Sequence, residues 1–137
     1  DGSGNRSTWV YDALNRVTEE RDANNQATTY AYDAASQLTS MTDRLSRRRD
    51  YSYDGVGRRT GEQWWQSGSI VSRSTFAFDA AGYLTSAQNE QGAYTFTYDA
   101  LGRVTHVDEL FGVGLTFTYN AVGSRLSVQD SLGGLVT

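Results

Sequence analysis

Few residues of this 137-residue chain could do chemistry. His106 is the only histidine, which excludes a His-pair metal site and leaves a single base for any triad. It follows Thr105 at a strand position that other parts of the chain fill with Ser40, Ser86 or Ser127, the mark of an ordinary surface slot. The acid pairs Glu19-Glu20 and Asp108-Glu109 are adjacent, so on a strand their carboxylates face opposite ways and make poor acid/base partners. No phosphate loop, EF-hand or metal motif occurs. The expectation is therefore no enzyme, with no catalytic, cofactor-binding or metal-ligating residues. Two clusters could bind. Arg47-Arg48-Arg49 is either an anion-binding strip or a solvated strand carrying alternate Arg. Trp64-Trp65 must point to opposite faces of an extended backbone. One of them then leaves the ring-covered side and offers a contact for a sugar, a partner or a neighbouring strand layer, unless a folded-over hairpin buries both.

Composition narrows the field. There is no Cys, no Pro and no Lys, and Gly and aromatic residues are enriched. No disulfide framework or thiolate site is available. The net charge of −4 argues against nucleic acid and anionic membranes as partners. No apolar run is long enough to span a membrane, and none reads as a signal peptide. Charge is uneven: residues 41–75 hold seven Arg against four acids, and the remainder five against twelve.

The residues that must be positioned recur. Phe96-Thr97-Tyr98-Asp99-Ala100-Leu101-Gly102-Arg103-Val104-Thr105 is one of six copies. Its first aromatic is Trp9, Tyr30, Tyr51, Phe76, Phe96 or Phe117. Its second, two residues on, is Tyr11, Tyr32, Tyr53, Phe78, Tyr98 or Tyr119, at intervals of 21, 21, 25, 20 and 21. Alternate strand positions share a face, so each ring pair lies on one side and predicts a continuous apolar ladder.

The next residue is Asp12, Asp33, Asp54, Asp79, Asp99 or Asn120. Three further on stands Gly57, Gly82, Gly102 or Gly123, with Asn15 and Ser36 in the first two copies. Asp first and Gly fourth is the preference of a type I turn, with the glycine free to form a left-handed bulge. Tyr98 would then sit opposite Val104. The last copy reads as having one extra residue after Gly123.

Each unit is thus strand, Asp-x-x-Gly turn, strand, second turn. The expected fold is all-β: about six antiparallel hairpins of ~21 residues in a twisted, coiling sheet. The interval around Trp64-Trp65 reads as a longer, protruding hairpin over residues 61–71. Asp1, Asp22 and Asp43 each lie eight residues before a first aromatic, so the chain opens at a second turn and stops within a later one. Residues 1–137 read as a single slice of a longer array.

The Tyr-Asp-Ala-Leu-Gly-Arg-Val-Thr motif, with an aromatic two places before the Tyr, resembles the YD repeat, also called the Rhs repeat. Tyr11-Asp12, Tyr32-Asp33, Tyr53-Asp54 and Tyr98-Asp99 match the dipeptide; Phe78-Asp79 and Tyr119-Asn120 each differ by one residue. The family includes bacterial polymorphic toxins, insecticidal toxin complexes and teneurins. The resemblance implies a β-strip spiralling into a hollow shell, which in the toxins encloses a toxic domain, in a secreted or cell-surface protein. The family's self-cleaving end has no match here, so no autoproteolysis is expected.

Two functions of different class follow. One is a shell wall around an enclosed toxin or effector domain. The other is an adhesive module binding a surface glycan through its rings. A third reading is self-association, end to end or through edge strands, as a fibre or scaffold. Partners are otherwise the neighbouring repeats of the same chain.

Overall fold

The computed structural model describes residues 6–137, and the expected turn at Asp1 lies outside them. Thirteen strands and no helix occur among the described residues. They fall into two compact units, Asp1–Arg73 and Ser74–Thr137. The first unit holds β1 (Thr8–Tyr11), β2 (Val17–Arg21), β3 (Ala27–Tyr32), β4 (Leu38–Thr42), β5 (Arg48–Tyr53) and β6 (Arg59–Gln66). β7 (Ser69–Phe78) begins in the first unit and ends in the second. The second continues with β8 (Leu84–Asn89), β9 (Gly92–Tyr98), β10 (Val104–Asp108), β11 (Gly114–Tyr119), β12 (Arg125–Asp130) and β13 (Leu135–Val136).

Within each unit every strand pairs antiparallel with the next in sequence. Register follows from the turns. In each copy the second aromatic meets a residue one step out of ladder: Tyr11 with Val17, Tyr32 with Leu38, Tyr53 with Arg59, Phe78 with Leu84, Tyr98 with Val104, Tyr119 with Arg125. The offset is the bulge that a left-handed fourth turn residue demands. That residue has positive φ in every copy, from 60° at Asn15 to 95° at Gly82. Ser36 at 64° shows that a non-glycine is held there too.

One sequence expectation is corrected, and two are sharpened. The last turn has no extra residue: Asn120 N–H donates to the Ser124 carbonyl as Asp99 N–H donates to that of Arg103. Ser124 therefore fills the Arg slot and Arg125 the Val slot. The Trp64-Trp65 hairpin closes on two residues, Ser67 and Gly68, at φ 52° and 80°. Its extra length lies in strands of eight and ten residues, so the interval is the longer hairpin that the spacing predicts. Finally, among the described residues no hydrophobic side chain is buried. The aromatics of β3, β5, β9 and β11 are half-buried, and Trp9 and Tyr11 are exposed. No second layer packs on these strands within either unit to complete a core, so the apolar ladder is covered from the side, by neighbours in the sheet.

Candidate functional site

The motif aspartate organises its turn with both carboxylate oxygens. Asp99 Oδ1 accepts the N–H groups of Leu101 (2.9 Å) and Arg103 (3.0 Å). Its Oδ2 accepts Arg103 Nε at 2.7 Å. Asp12 does the same with Leu14 and Arg16, and Asp54 with Val56 and Arg58. Asn120 keeps the backbone half, its amide oxygen taking Val122 N–H (3.1 Å) and Ser124 N–H (2.9 Å). It has no second oxygen for a guanidinium, and its fifth residue is Ser124. Asp43 repeats the full pattern with Leu45 and Arg47 in a second turn.

These bonds favour the charged form. The Arg103 N–H, then the Arg103 guanidinium and the Leu101 N–H, hold Asp99 below its ordinary 3.8 against partial desolvation. Asp12 is lowered by the same groups of Arg16 and Leu14, and Asp43 chiefly by the Arg47 side chain. In Asp54 desolvation is the largest single effect and acts upward, yet the bonds from Arg58 and Val56 together win.

The arginine reaches further. Arg16 Nη1 donates to the Asp33 carbonyl at 3.0 Å, and its guanidinium lies 4.7 Å from the Tyr32 ring centre. Arg103 Nη1 reaches the Asn120 carbonyl at 3.3 Å and covers the Tyr119 ring at 4.6 Å. Each thus clips its own turn to the turn and ring of the following repeat. The ring answers in the other direction. Tyr32 Oη donates to the Val17 carbonyl (3.0 Å), Tyr53 to Leu38 (2.8 Å), Tyr98 to Leu84 (2.7 Å) and Tyr119 to Val104 (2.7 Å). Phe78 carries no hydroxyl for this. In its copy the Arg slot holds Tyr83, which stacks on Tyr98 at 4.9 Å. Gln37 fills the slot in the second copy and donates to Asp33 Oδ2 at 3.1 Å.

Sequence reasoning placed the aspartates, rings and glycines but missed the arginine and the tyrosine hydroxyl. Both had a signal. Arg recurs at the fifth turn position as Arg16, Arg58 and Arg103, and Tyr outnumbers Phe at the second ring but not at the first.

Trp64 and Trp65 do take opposite faces: Arg49 pairs across from Trp64, and Arg48 from Trp65. Arg49 lies 4.1 Å over Trp64, which is 42% exposed, and Arg48 lies 5.4 Å over the less exposed Trp65. The two clusters noted in the sequence thus pair across β5 and β6, one Arg–Trp couple on each face, and border a hollow of about 150 Å³ with Met41 and Val71. Arg48 pairs with Asp50 and Arg47 with Asp43. His106 lies in an exposed row, Nδ1 3.0 Å from Thr116 Oγ1 and Nε2 3.1 Å from Asp108 Oδ1. The Thr116 strand is hydrogen-bonded on both sides, so its N–H groups serve the ladder and offer no oxyanion hole. Among the described residues no three metal-ligating side chains converge, and no helix could cross a membrane.

The clips join neighbouring repeats into one continuous strip within each unit. The family profile of the teneurin YD-shell matches residues 4–137. This chain belongs to the teneurin YD-shell family. Solved structures share the YD fold. The TcdB2-TccC3-TEV crystal structure is 15% identical with a TM-score of 0.65, covering 91% of this chain and 9% of that one. The Photorhabdus luminescens Tc holotoxin pore is 16% identical with a TM-score of 0.61 and the same coverage. The YD segment therefore spans about a tenth of the solved chains it matches. No curated protein matches it. As a YD-shell segment it is a structural stretch of an Rhs-type protein.

Proposed function

We propose that this segment is part of the wall of a hollow β-shell, within a longer repeat array, that encloses a toxin or effector domain of a secreted or surface-exported protein. The match of residues 4–137 to the YD-shell family carries the reading. The clips support it, since Arg16 and Arg103 each hold their own repeat to the one that follows. The motif aromatics, Asp/Asn and Gly residues are the parts we assign to wall building, and the wall itself does no catalysis. Limited proteolysis of the full parent chain tests this. The domain beyond the array should resist cleavage until the shell is opened. Cleavage as fast as in the isolated domain overturns enclosure.

A second reading rests on the Trp64 hollow, where an exposed indole lies against the Arg49 guanidinium. Arg49 lies over the Trp64 ring, and the exposed part of that indole is the surface a sugar would stack on. A glycan array with the wild-type chain and the Trp64→Ala/Trp65→Ala variant decides: no wild-type binding ends this reading.

A further inference from the structure

β7 outruns its neighbour in the sheet. Its later part pairs with β8, but that register ends at Thr75 opposite Gln88. β8 itself stops at Asn89, where the chain turns back into β9 at Gly92. Residues 69–73, which belong to the first unit, therefore have β6 on one side and no strand on the other among the described residues. Five residues of extended backbone, about 17 Å, keep a row of unpaired N–H and C=O groups there. Such edges are ordinarily blunted by Lys or Pro. Ser69-Ile70-Val71-Ser72-Arg73 has neither, and its one charge stands at the end. Ile70 and Val71 are 38% and 57% exposed, and both are β-branched residues of the kind strands favour.

Charge says what this edge takes. The two-residue Ser67-Gly68 turn sets Val71 beside Trp64, and both border the same hollow. Three arginines, Arg47, Arg48 and Arg49, border it against a single acid, Asp43. Arg47 and Arg48 are paired with aspartates. Arg49 forms no ion pair among the described residues, and its guanidinium crosses from β5 to lie over the Trp64 ring on β6. We propose that residues 69–73 are a β-augmentation edge whose occupant is an extended acidic segment of another polypeptide. The added strand bonds the unpaired backbone groups of β7. Every second side chain of that strand shares the face of Val71 and Trp64, so acids at those positions point to the side on which Arg49 lies. The surrounding stretch, residues 41–75, carries seven Arg against four acids and attracts the same kind of visitor. A second copy of this chain brings the same basic stretch to the edge, like charge against like. The proposal does not depend on what the wall encloses.

Fluorescence anisotropy of the 137-residue chain with a fluorescein-labelled Val-Glu-Val-Glu-Val amide tests this. Saturable binding is expected below about 1 mM. Methylating the peptide's backbone nitrogens on its pairing side removes its donors and should abolish binding. Replacing its Glu by Gln should weaken binding at least about threefold. Arg49→Gln in the protein should produce the same loss with circular dichroism unchanged. The peptide changes keep the test open should that variant fold poorly. Hydrogen exchange at residues 69–73 should slow when the peptide is present. The proposal is overturned by absence of binding at that concentration, by equal binding of the methylated or the Gln peptide, or by equal binding of a folded Arg49→Gln chain. Protection that falls elsewhere in the chain also overturns it. So does self-association in sedimentation velocity that the peptide fails to reverse, which would give the edge to a second copy.

Discussion

Gly102 and Gly123 hold the same turn position, with φ of 77° and 90°. Their surroundings differ. A Cβ at Gly102 would collide with the Tyr83 phenol, whereas one at Gly123 meets nothing within 4 Å. Gly123→Ala should therefore cost only the left-handed strain, about 1 kcal/mol. Gly102→Ala adds displacement of Tyr83 from its stack on Tyr98 and should cost clearly more, by thermal or denaturant unfolding. Equal costs would mean that the Tyr83–Tyr98 stack contributes nothing. The Tyr98 hydroxyl is a second residue-scale test. Its bond to the Leu84 carbonyl ties two hairpins at 2.7 Å, and Tyr98→Phe should lose about 1 kcal/mol. Burial, then the Asp79 charge, also raises the Tyr98 phenol above 10.0, as expected of a hydroxyl held to a carbonyl. No change in Tm on this substitution would remove the hydroxyl from the account.

At the scale of the hairpin, the aspartate sets the acid limit. Asp12, Asp43, Asp54 and Asp99 all have folded-state values below the 3.8 of an unfolded chain. A lowered carboxylate stabilises the fold fully above its unfolded value and loses that contribution as pH falls through the folded one. Tm should thus be level near neutrality and drop as pH passes below 3.8. Asp99→Asn should flatten the drop while lowering the neutral Tm, because the amide keeps the backbone bonds, as Asn120 does, and loses the guanidinium. These turns were the most legible part of the sequence. Asp first and Gly fourth name a local geometry that no distant contact has to supply. The last copy misled for the same reason in reverse. Arg125 looked like the motif arginine displaced by one, but hydrogen bonding counts backbone positions and Ser124 occupies the slot. The Arg16 and Arg103 clips were illegible because they join residues 17 apart, a distance that sequence periodicity marks without assigning partners. Nor could ring alternation alone tell a buried face from a half-covered one: in the structure Arg16 and Arg103 cover rings that a second layer would otherwise bury.

For the whole molecule, stability is a sum of repeats and their junctions. Deleting residues 33–53 removes one complete period and joins Tyr32 directly to Asp54, restoring the motif at the splice. The shortened chain should remain folded and all-β by circular dichroism, with a lower Tm from the lost junction. Collapse to an unfolded chain would mean that order depends on something longer-ranged than neighbour contacts. The tyrosine hooks carry a mechanical corollary. Because Tyr32, Tyr53, Tyr98 and Tyr119 each add a side-chain clasp to the backbone ladder that joins a repeat to the one before it, a pull on one end should meet one junction at a time. The expected response is yielding in instalments of one period, like a zip fastener, with damage to one copy stopping at its neighbour.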